Sequence, residues 1–515
     1  MIEIRNLTIN VIRDLRTIIE GLSFTINKGD RTVIIGEEGN GKSTLLKLIY
    51  DEKLTEEYIS YEGSINRGNA LIGYLPQELS EEDKALTISE YVRKYQIKNN
   101  VRFNSPPEIA AAAQELELPS DILSFERPLG SLSGGERVKL LLMLMQLSHY
   151  DIILLDEPSN DIDIETLEKL EDFIINSTVP VMFVSHDETL IRGAANMIIH
   201  IEQLRDKTRP RSGVYRMTYD EYYESRLLGM ENQARVAGSE RKALAKKQER
   251  WQKIYNAVHF AQNNVLRAAP STGRLLKKKM HSVKAQGRRI EKERENLTDF
   301  PETEEAILPD FKENVAFPNG KVLLELNLPL LLTPDGKREL SRDFKLNLTG
   351  PKKTFIIGKN GCGKSTLIKI VADEFLGRKD IKAAYMPQNY ADMLDLSLTP
   401  VDILAESGTK EDITIARTYL GAMKFTRNEM LHKAFELSEG QKAKLYLIKI
   451  LLGGYNVLIL DEPTRNLSPL SGPSVRRLLS DFEGAIIAVS HDRMLINEVA
   501  DTVFKLDETG LTEIY

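Results

Sequence analysis

Two stretches of the chain have the residue types and the spacing to hold a nucleoside triphosphate. Gly36, Gly39 and Gly41 lead into Lys42, Ser43 and Thr44, and Gly358, Gly361 and Gly363 lead into Lys364, Ser365 and Thr366. Glycines so spaced let successive backbone N–H groups wrap an anion at a helix N-terminus. The lysine then reaches the β- and γ-phosphates, and the serine hydroxyl sits on Mg²⁺. Downstream of each loop an apolar run ends in two carboxylates, Asp156 with Glu157 and Asp461 with Glu462. The aspartate is suited to hold Mg²⁺ through water, and the glutamate to polarise an attacking water. A further apolar run ends at His186 in one half and at His491 in the other, placed to sense the γ-phosphate. An acid pair or a histidine at a strand end is more often structural when it stands alone. Here the whole set occurs together, and it occurs twice.

These groups need a scaffold. Arg31–Gly36 is apolar and β-branched like a buried parallel strand, and the run after Thr44 reads as a helix. Between loop and carboxylates lie Ser133, Gly134 and Gly135 before a helical run, matched by Ser438, Gly440 and Gln441 in the second half. Gln77 follows Tyr74-Leu-Pro as Gln388 follows Tyr385-Met-Pro. The offset between copies is 305 residues at Ser133/Ser438, Asp156/Asp461 and His186/His491, but 322 at Lys42/Lys364. The first copy therefore carries 17 extra residues between phosphate loop and serine, and the stretch from serine to histidine is gap-free.

The set resembles the ATP-binding-cassette ATPases, whose LSGGQ signature occupies the position of Leu132–Glu136. The resemblance implies an α/β fold with two cassettes, and ATP and Mg²⁺ as ligands. Gln77 and Gln388 then match the family's Q-loop and join Ser43, Asp156, Ser365 and Asp461 around the metal. The signature caps a nucleotide held by the other cassette, so site one pairs Lys42 and Glu157 with Ser438 and Gly440. Site two pairs Lys364 and Glu462 with Ser133 and Gly135. The copies are unequal: Ser468 stands where the first copy has Asp163, and Glu439 where it has Gly134. Both glutamates are kept, so hydrolysis is expected at both sites, at unequal rates.

Between the cassettes, Arg226–Arg294 holds 18 Lys or Arg, 5 Glu and no Asp, a charge of +13 in a chain of −7. Such asymmetry points to an anionic partner met at one place. Leu244, Trp251, Val258 and Val265 recur every seven residues with Ile254 and Ala261 between them, and Leu276, Val283, Ile290 and Leu297 recur likewise. Two such seams predict an antiparallel helical hairpin, its first stem about 40 Å long from Ser239 to Val265. The boundaries follow: a cassette over 1–222, a basic linker over 223–300 with its tip near 259–276, and a second cassette over 301–515. A charged spacer with no partner is the plainer reading of the hairpin alone.

Composition excludes several classes. No run of about 18 apolar residues exists to span a membrane, and the start reads as a strand rather than a secretion signal, so the chain is expected to be cytoplasmic. The single cysteine, Cys362, rules out an intrachain disulfide, a cysteine zinc finger and an iron–sulfur cluster held by this chain alone. Zinc-bearing excision-repair ATPases and the iron–sulfur recycling factor are thereby set aside, and chromosome ATPases insert their coiled coil inside a cassette. Twin cassettes around a basic two-helix linker resemble the ABC-F family. The resemblance implies a monomer with its cassettes paired internally and no membrane domain. It also implies binding to the 70S ribosome at the tRNA exit site, the linker reaching 23S rRNA and P-site tRNA. With 35 residues from Lys42 to Gln77, the housekeeping type's arm has no room. The segments after the carboxylates resemble the antibiotic-resistance subgroup, which protects the peptidyl-transferase centre from pleuromutilins, lincosamides and streptogramin A. A housekeeping translation factor, or a fused ATPase subunit of a transporter, is the alternative.

Overall fold

The computed structural model describes residues 2–103, 105–160, 162–264, 270–302, 311, 318, 320–333 and 336–514. The chain divides into two compact units, one formed by Met1–Tyr219 with Glu304–Tyr515 and the other by Asp220–Thr303.

The first unit contains two six-stranded sheets of the same order. In the first, Ile72–Leu75, Ile152–Asp156, Val181–Val184, Arg31–Ile35 and Met197–Gln203 run parallel, and Arg209–Tyr215 pairs antiparallel at the edge. In the second, Ala383–Met386, Val457–Asp461, Ala485–Val489, Lys353–Ile357 and Thr502–Asp507 repeat the order, closed by antiparallel Gly510–Glu513. Strands such as Ile152–Asp156 and Val457–Asp461 are buried at every position. That is why they read as unbroken apolar runs, both faces of a parallel sheet being covered. Phosphate loop, carboxylate pair and histidine all leave the carboxyl ends of neighbouring strands, where open α/β sheets bind ligands.

Of the 17 extra residues in the first copy, 11 fall before the Q-loop, since Lys42 to Gln77 spans 35 residues and Lys364 to Gln388 spans 24. They provide the strand Ile59–Asn66, third member of an antiparallel sheet with Ile2–Val11 and Thr17–Ile26. Among the described residues the second cassette has only the pair Lys321–Leu332 and Glu339–Gly350 in that place. One further departure lies in the gap-free part. The helix after the first carboxylates is Ile164–Ile175, whereas its counterpart begins only at Gly472, after a turn of 3₁₀ helix at Pro469–Ser471. Proline tolerates the first helical turn but not the interior, so Pro469 and Pro473 push the start downstream.

The second unit contains two long helices, Tyr219–Asn263, which begins one residue before it, and Pro270–Glu295. The first has 45 residues, about 68 Å of helix, so it starts well before the seam that announces it. Val258, Met280 and Val283 are buried together with Trp251 and Tyr255 packed against them, and Trp251 Nε1 donates to Val283 O at 2.8 Å. Gly287 lies under the Trp251 ring, where a Cβ would stand 2.8 Å from it. The expected seam needs one correction. Ile254 is 44 % exposed, and Tyr255 takes the inward place, its ring 5.3 Å from Trp251. Spacings of three and four residues both keep a helix face, and the larger side chain covers more of the facing helix. The chain returns after the second helix, where Glu240 accepts from Thr298 N at 2.8 Å and the Arg241 guanidinium lies 4.2 Å from the Phe300 ring. The expected tip includes 265–269, outside the described residues. No helix among the described residues is long and apolar enough to cross a membrane.

Candidate functional site

Both phosphate loops adopt the backbone their glycines allow. Gly36, Gly39 and Gly41 have φ of 149°, 79° and 90°, and Gly358, Gly361 and Gly363 have 155°, 77° and 104°. A Cβ at Gly36 would run into Ile201 O and one at Gly358 into Leu506 O, so these two positions admit no other residue. Helices begin at Lys42 and Lys364, carrying Ser43 and Thr44, and Ser365 and Thr366, in their first turn. Lys42 Nζ donates to Gly36 O and Glu37 O, both at 3.0 Å, and Lys364 Nζ donates to Gly358 O at 2.8 Å and Lys359 O at 3.0 Å. Each ammonium is thus buried inside its own loop, over the place an anion would fill.

In site one Asp156 is fully buried, accepting from Ser43 Oγ at 2.7 Å and from Tyr74 OH at 3.1 Å. Glu157 accepts from Gln77 Nε2 at 3.1 Å and Asn160 Nδ2 at 2.5 Å, and its other oxygen lies 3.3 Å from His186 Nε2. Burial pushes this carboxyl up, but the hydrogen bond and charge of His186, with Lys42 and Asn160, outweigh it and hold it at about 2. His186 Nδ1 lies 2.8 Å from Leu467 O of the other cassette.

Site two holds the same groups more loosely. His491 N donates to Glu462 at 3.2 Å, while the His491 ring stands 3.7 Å away from that carboxylate. Burial, aided by Asp461, raises Glu462 to about 8, and burial with the nearby Lys364 lowers His491 to about 4. His491 Nδ1 and Asp461 Oδ1 are buried without a hydrogen-bond partner. An unpartnered carboxylate oxygen beside a serine hydroxyl fits a hard, oxygen-seeking cation, so the residues around the second loop suit Mg²⁺; around the first, Ser43 and Asp156 bring the same oxygens together, bonded to each other. Glu157 and Glu462 also share a backbone oddity, φ of 49° and 54°. The left-handed region is costly for a non-glycine residue and persists only where neighbours impose it. Here each is pinned through its N–H, to Val184 O at 3.1 Å and to Val489 O at 2.9 Å.

The signature serines begin helices. Ser133 Oγ accepts from Glu136 N while the Glu136 carboxylate accepts from Ser133 N at 2.9 Å, and Ser438 does the same with Gln441. Serine followed three residues later by Glu or Gln is a capping box, so Gln441 serves the helix start and bonds Glu429 at 2.7 Å. The two signatures face opposite loops. Gly440 N donates to Glu38 at 2.6 Å, and Ser468 Oγ to Glu37 at 2.9 Å, with Lys444 on the other Glu37 oxygen. Across site two Asn360 N reaches Asp163 at 3.4 Å and Lys359 Nζ reaches Glu165 at 2.9 Å. Ser133, Gly134 and Gly135 look onto Lys364, Thr366, Gln388 and Glu462 across a cavity of about 1360 Å³. Sequence reasoning missed Glu37, Glu38, Lys444, Asn160 and Tyr74. Only the tyrosine left a signal, in its repetition at Tyr385.

The profile of one family, described as ABC transporter, matches residues 19–160 and 341–465. The putative ATP-binding protein YdiF of Bacillus subtilis is 26 % identical over 96 % of this chain and 79 % of its own length. ABC transporter F family member 2 of Arabidopsis thaliana is 25 % identical over 96 % and 75 %. Among solved structures, the complex of archaeal ribosomal stalk protein aP1 with the ribosome recycling factor aABCE1 matches 99 % of this chain and 90 % of its own. Its TM-score is 0.60 at 17 % identity, a likeness of fold. With twin phosphate loops, paired carboxylates and facing signatures in one unit, and a family match over half its length, the chain belongs to the ABC transporter family and is an ATPase.

Proposed function

We propose that this chain is a ribosome-binding ATPase of the ABC-F type. Its linker enters the tRNA exit site towards 23S rRNA and P-site tRNA and protects the peptidyl-transferase centre from pleuromutilins, lincosamides and streptogramin A. The observation that carries the reading is a two-helix unit, between two ATPase cassettes in the chain, whose stretch Arg226–Arg294 carries +13. Lysine and arginine along a helical pair suit an RNA-walled space, where phosphate contacts dominate affinity. The F-family name of one relative, and the ribosomal partner named for one structural neighbour, support it. Phe260, 72 % exposed, stands near the expected tip, its ring open to stack on bases.

In the proposed cycle the γ-phosphate lies between Lys42 and Ser438 with Gly440, or between Lys364 and Ser133 with Gly135. Glu157 or Glu462 takes the proton of the attacking water as its oxygen bonds to phosphorus and the bond to ADP breaks, leaving ADP and inorganic phosphate. His186 or His491 orients the glutamate. Ser43, Asp156 and Gln77, and Ser365, Asp461 and Gln388, would hold Mg²⁺, which when bound offsets charge on the phosphate oxygens. Hydrolysis then opens the cassettes and releases the ribosome.

The test is sedimentation with ATP of the chain carrying Glu157→Gln and Glu462→Gln. It should travel with 70S ribosomes; travel with membranes would favour a transporter subunit. Lys277, Lys278 and Lys279 changed to Glu take Arg226–Arg294 from +13 to +7 and should weaken that binding and flatten its salt dependence. A helix-preserving deletion of Leu266–Leu276 should spare ATPase and ribosome binding and abolish drug resistance. Full resistance after it would reject the tip as effector.

A further inference from the structure

Two ion pairs join the cassettes away from the carboxylate centres, and their polarity is unusual. Arg476 Nη1 donates to Glu188 at 2.6 Å, both residues almost wholly buried, and Arg493 Nη2 donates to Glu171 at 2.7 Å. The constant offset of 305 makes Glu171 and Arg476 the same position in the two copies, and likewise Glu188 and Arg493. Each pair thus joins one kind of position to the other across the pseudo-twofold interface. The first cassette is acidic at both positions and the second is basic at both.

This arrangement distinguishes partners. If two first cassettes faced each other, Glu171 would meet Glu188 at both contacts. If two second cassettes did, Arg476 would meet Arg493 at both. Own-cassette neighbours offset only part of each clash: Arg192 holds Glu188 Oε1 at 3.0 Å and Glu498 holds Arg476 Nε at 2.8 Å, while Glu188 Oε2 and Arg476 Nη1 are the atoms that meet the other cassette. A buried charge left facing its like is among the strongest penalties an interface can carry.

We propose that the charges at 171, 188, 476 and 493 are a pairing code that lets each cassette close only on a cassette of the other kind. The code excludes a second copy's matching cassette. The linker's covalent tether, by raising effective concentration, selects the partner within the same chain, so both ATP sites assemble in a monomer.

Two double variants of the full chain test this with equal net charge and a shared Glu171→Arg. E171R/R493E exchanges the members of one touching pair, leaving opposite charges at both contacts. E171R/R476E exchanges charges between positions that do not touch. Within the chain it sets the arginine introduced at position 171 against Arg493, and the glutamate introduced at position 476 against Glu188. Between copies it sets opposite charges together, the introduced arginine facing Glu188 and the introduced glutamate facing Arg493. Sedimentation velocity with ATP, in the Glu157→Gln, Glu462→Gln background, should show E171R/R493E as a monomer and E171R/R476E at twice the mass. With both catalytic glutamates restored, ATPase per molecule should be independent of protein concentration in the first and rise with it in the second. A monomeric E171R/R476E with parental ATPase would overturn the code. Should that variant fail to fold, Glu171→Arg alone decides: its ATPase should fall at least tenfold and E171R/R493E should recover most of it. Equal loss in both would also overturn the proposal.

Discussion

At the first phosphate loop Glu38 accepts from Gly440 N and Glu37 is held by Ser468 and Lys444, so carboxylates of the loop sit on the opposite signature. At the second loop the same positions are Lys359 and Asn360, reaching Glu165 and Asp163, and a cavity separates Lys364 from Ser133. The histidines differ in parallel: His186 reaches Leu467 O across site one, and His491 Nδ1 finds no partner in site two. Two copies of one fold with the same motifs thus present nucleotide with different problems. At site one it must displace an internal anion, but the candidate base, held at about 2, is ready. At site two a cavity lies between loop and signature, but the candidate base, at about 8, holds a proton at neutral pH.

The largest effect comes from removing both bases. Glu157→Gln with Glu462→Gln should lower ATP hydrolysis by about 10²–10⁴-fold while leaving ATP binding intact. Single variants measured by phosphate release would split the remaining rate, and equal rates at neutral pH would erase the contrast between sites.

Next is the internal anion. Glu38→Asn gives the first loop the residue the second has and frees Gly440 N. Hydrogen bonds to charged acceptors are worth about 1.5–3 kcal/mol, so ATP affinity at site one should rise about tenfold. Calorimetry in a Lys364→Ala background, where site two is silenced, reads it, and unchanged affinity would remove Glu38 from the picture.

The pH dependence should separate the sites further. Hydrolysis by Glu157→Gln, which leaves Glu462 as base, should fall about tenfold per pH unit below about 8. Glu462→Gln should stay flat from pH 8 down to about 5. Stability runs the opposite way at the two groups. The raised Glu462 stabilises the fold fully below its ordinary value of 4.5, and that contribution is lost as pH rises through about 8. The lowered Glu157 stabilises it above 4.5, and this is lost as pH falls through about 2. Identical pH–rate profiles for the single variants would contradict the difference in carboxyl environment.

The smallest effect concerns the histidines without nucleotide. His186→Ala removes a bond to Leu467 O and the contact with Glu157, and should lower stability by at least about 1 kcal/mol. His491→Ala removes a ring nitrogen that already lacks a partner and should cost less. Thermal unfolding of the two variants compares them directly.

Much of the site was legible beforehand, because its chemistry is local in the chain. Three glycines, a lysine and a serine make a phosphate loop by their order alone, and the paired acids and histidines are punctuation at the ends of buried strands. The 305-residue offset exposed the repeat, and the seven-residue spacing exposed the hairpin, since helix periodicity is written directly into side-chain order. The choice of Tyr255 over Ile254 in the hairpin seam was not, because both lie near the same helix face and only the facing surface of Met280 and Val283 decides which is covered. The same holds for Glu37 and Glu38, which sit at positions the phosphate-loop pattern leaves open. Their partners Gly440, Lys444 and Ser468 lie about four hundred residues away, where no local rule reaches. Glu171, Glu188, Arg476 and Arg493 are four ordinary helix-face charges in the sequence. Burial at an interface removes water from them, and without that screening their signs decide which cassette can face which.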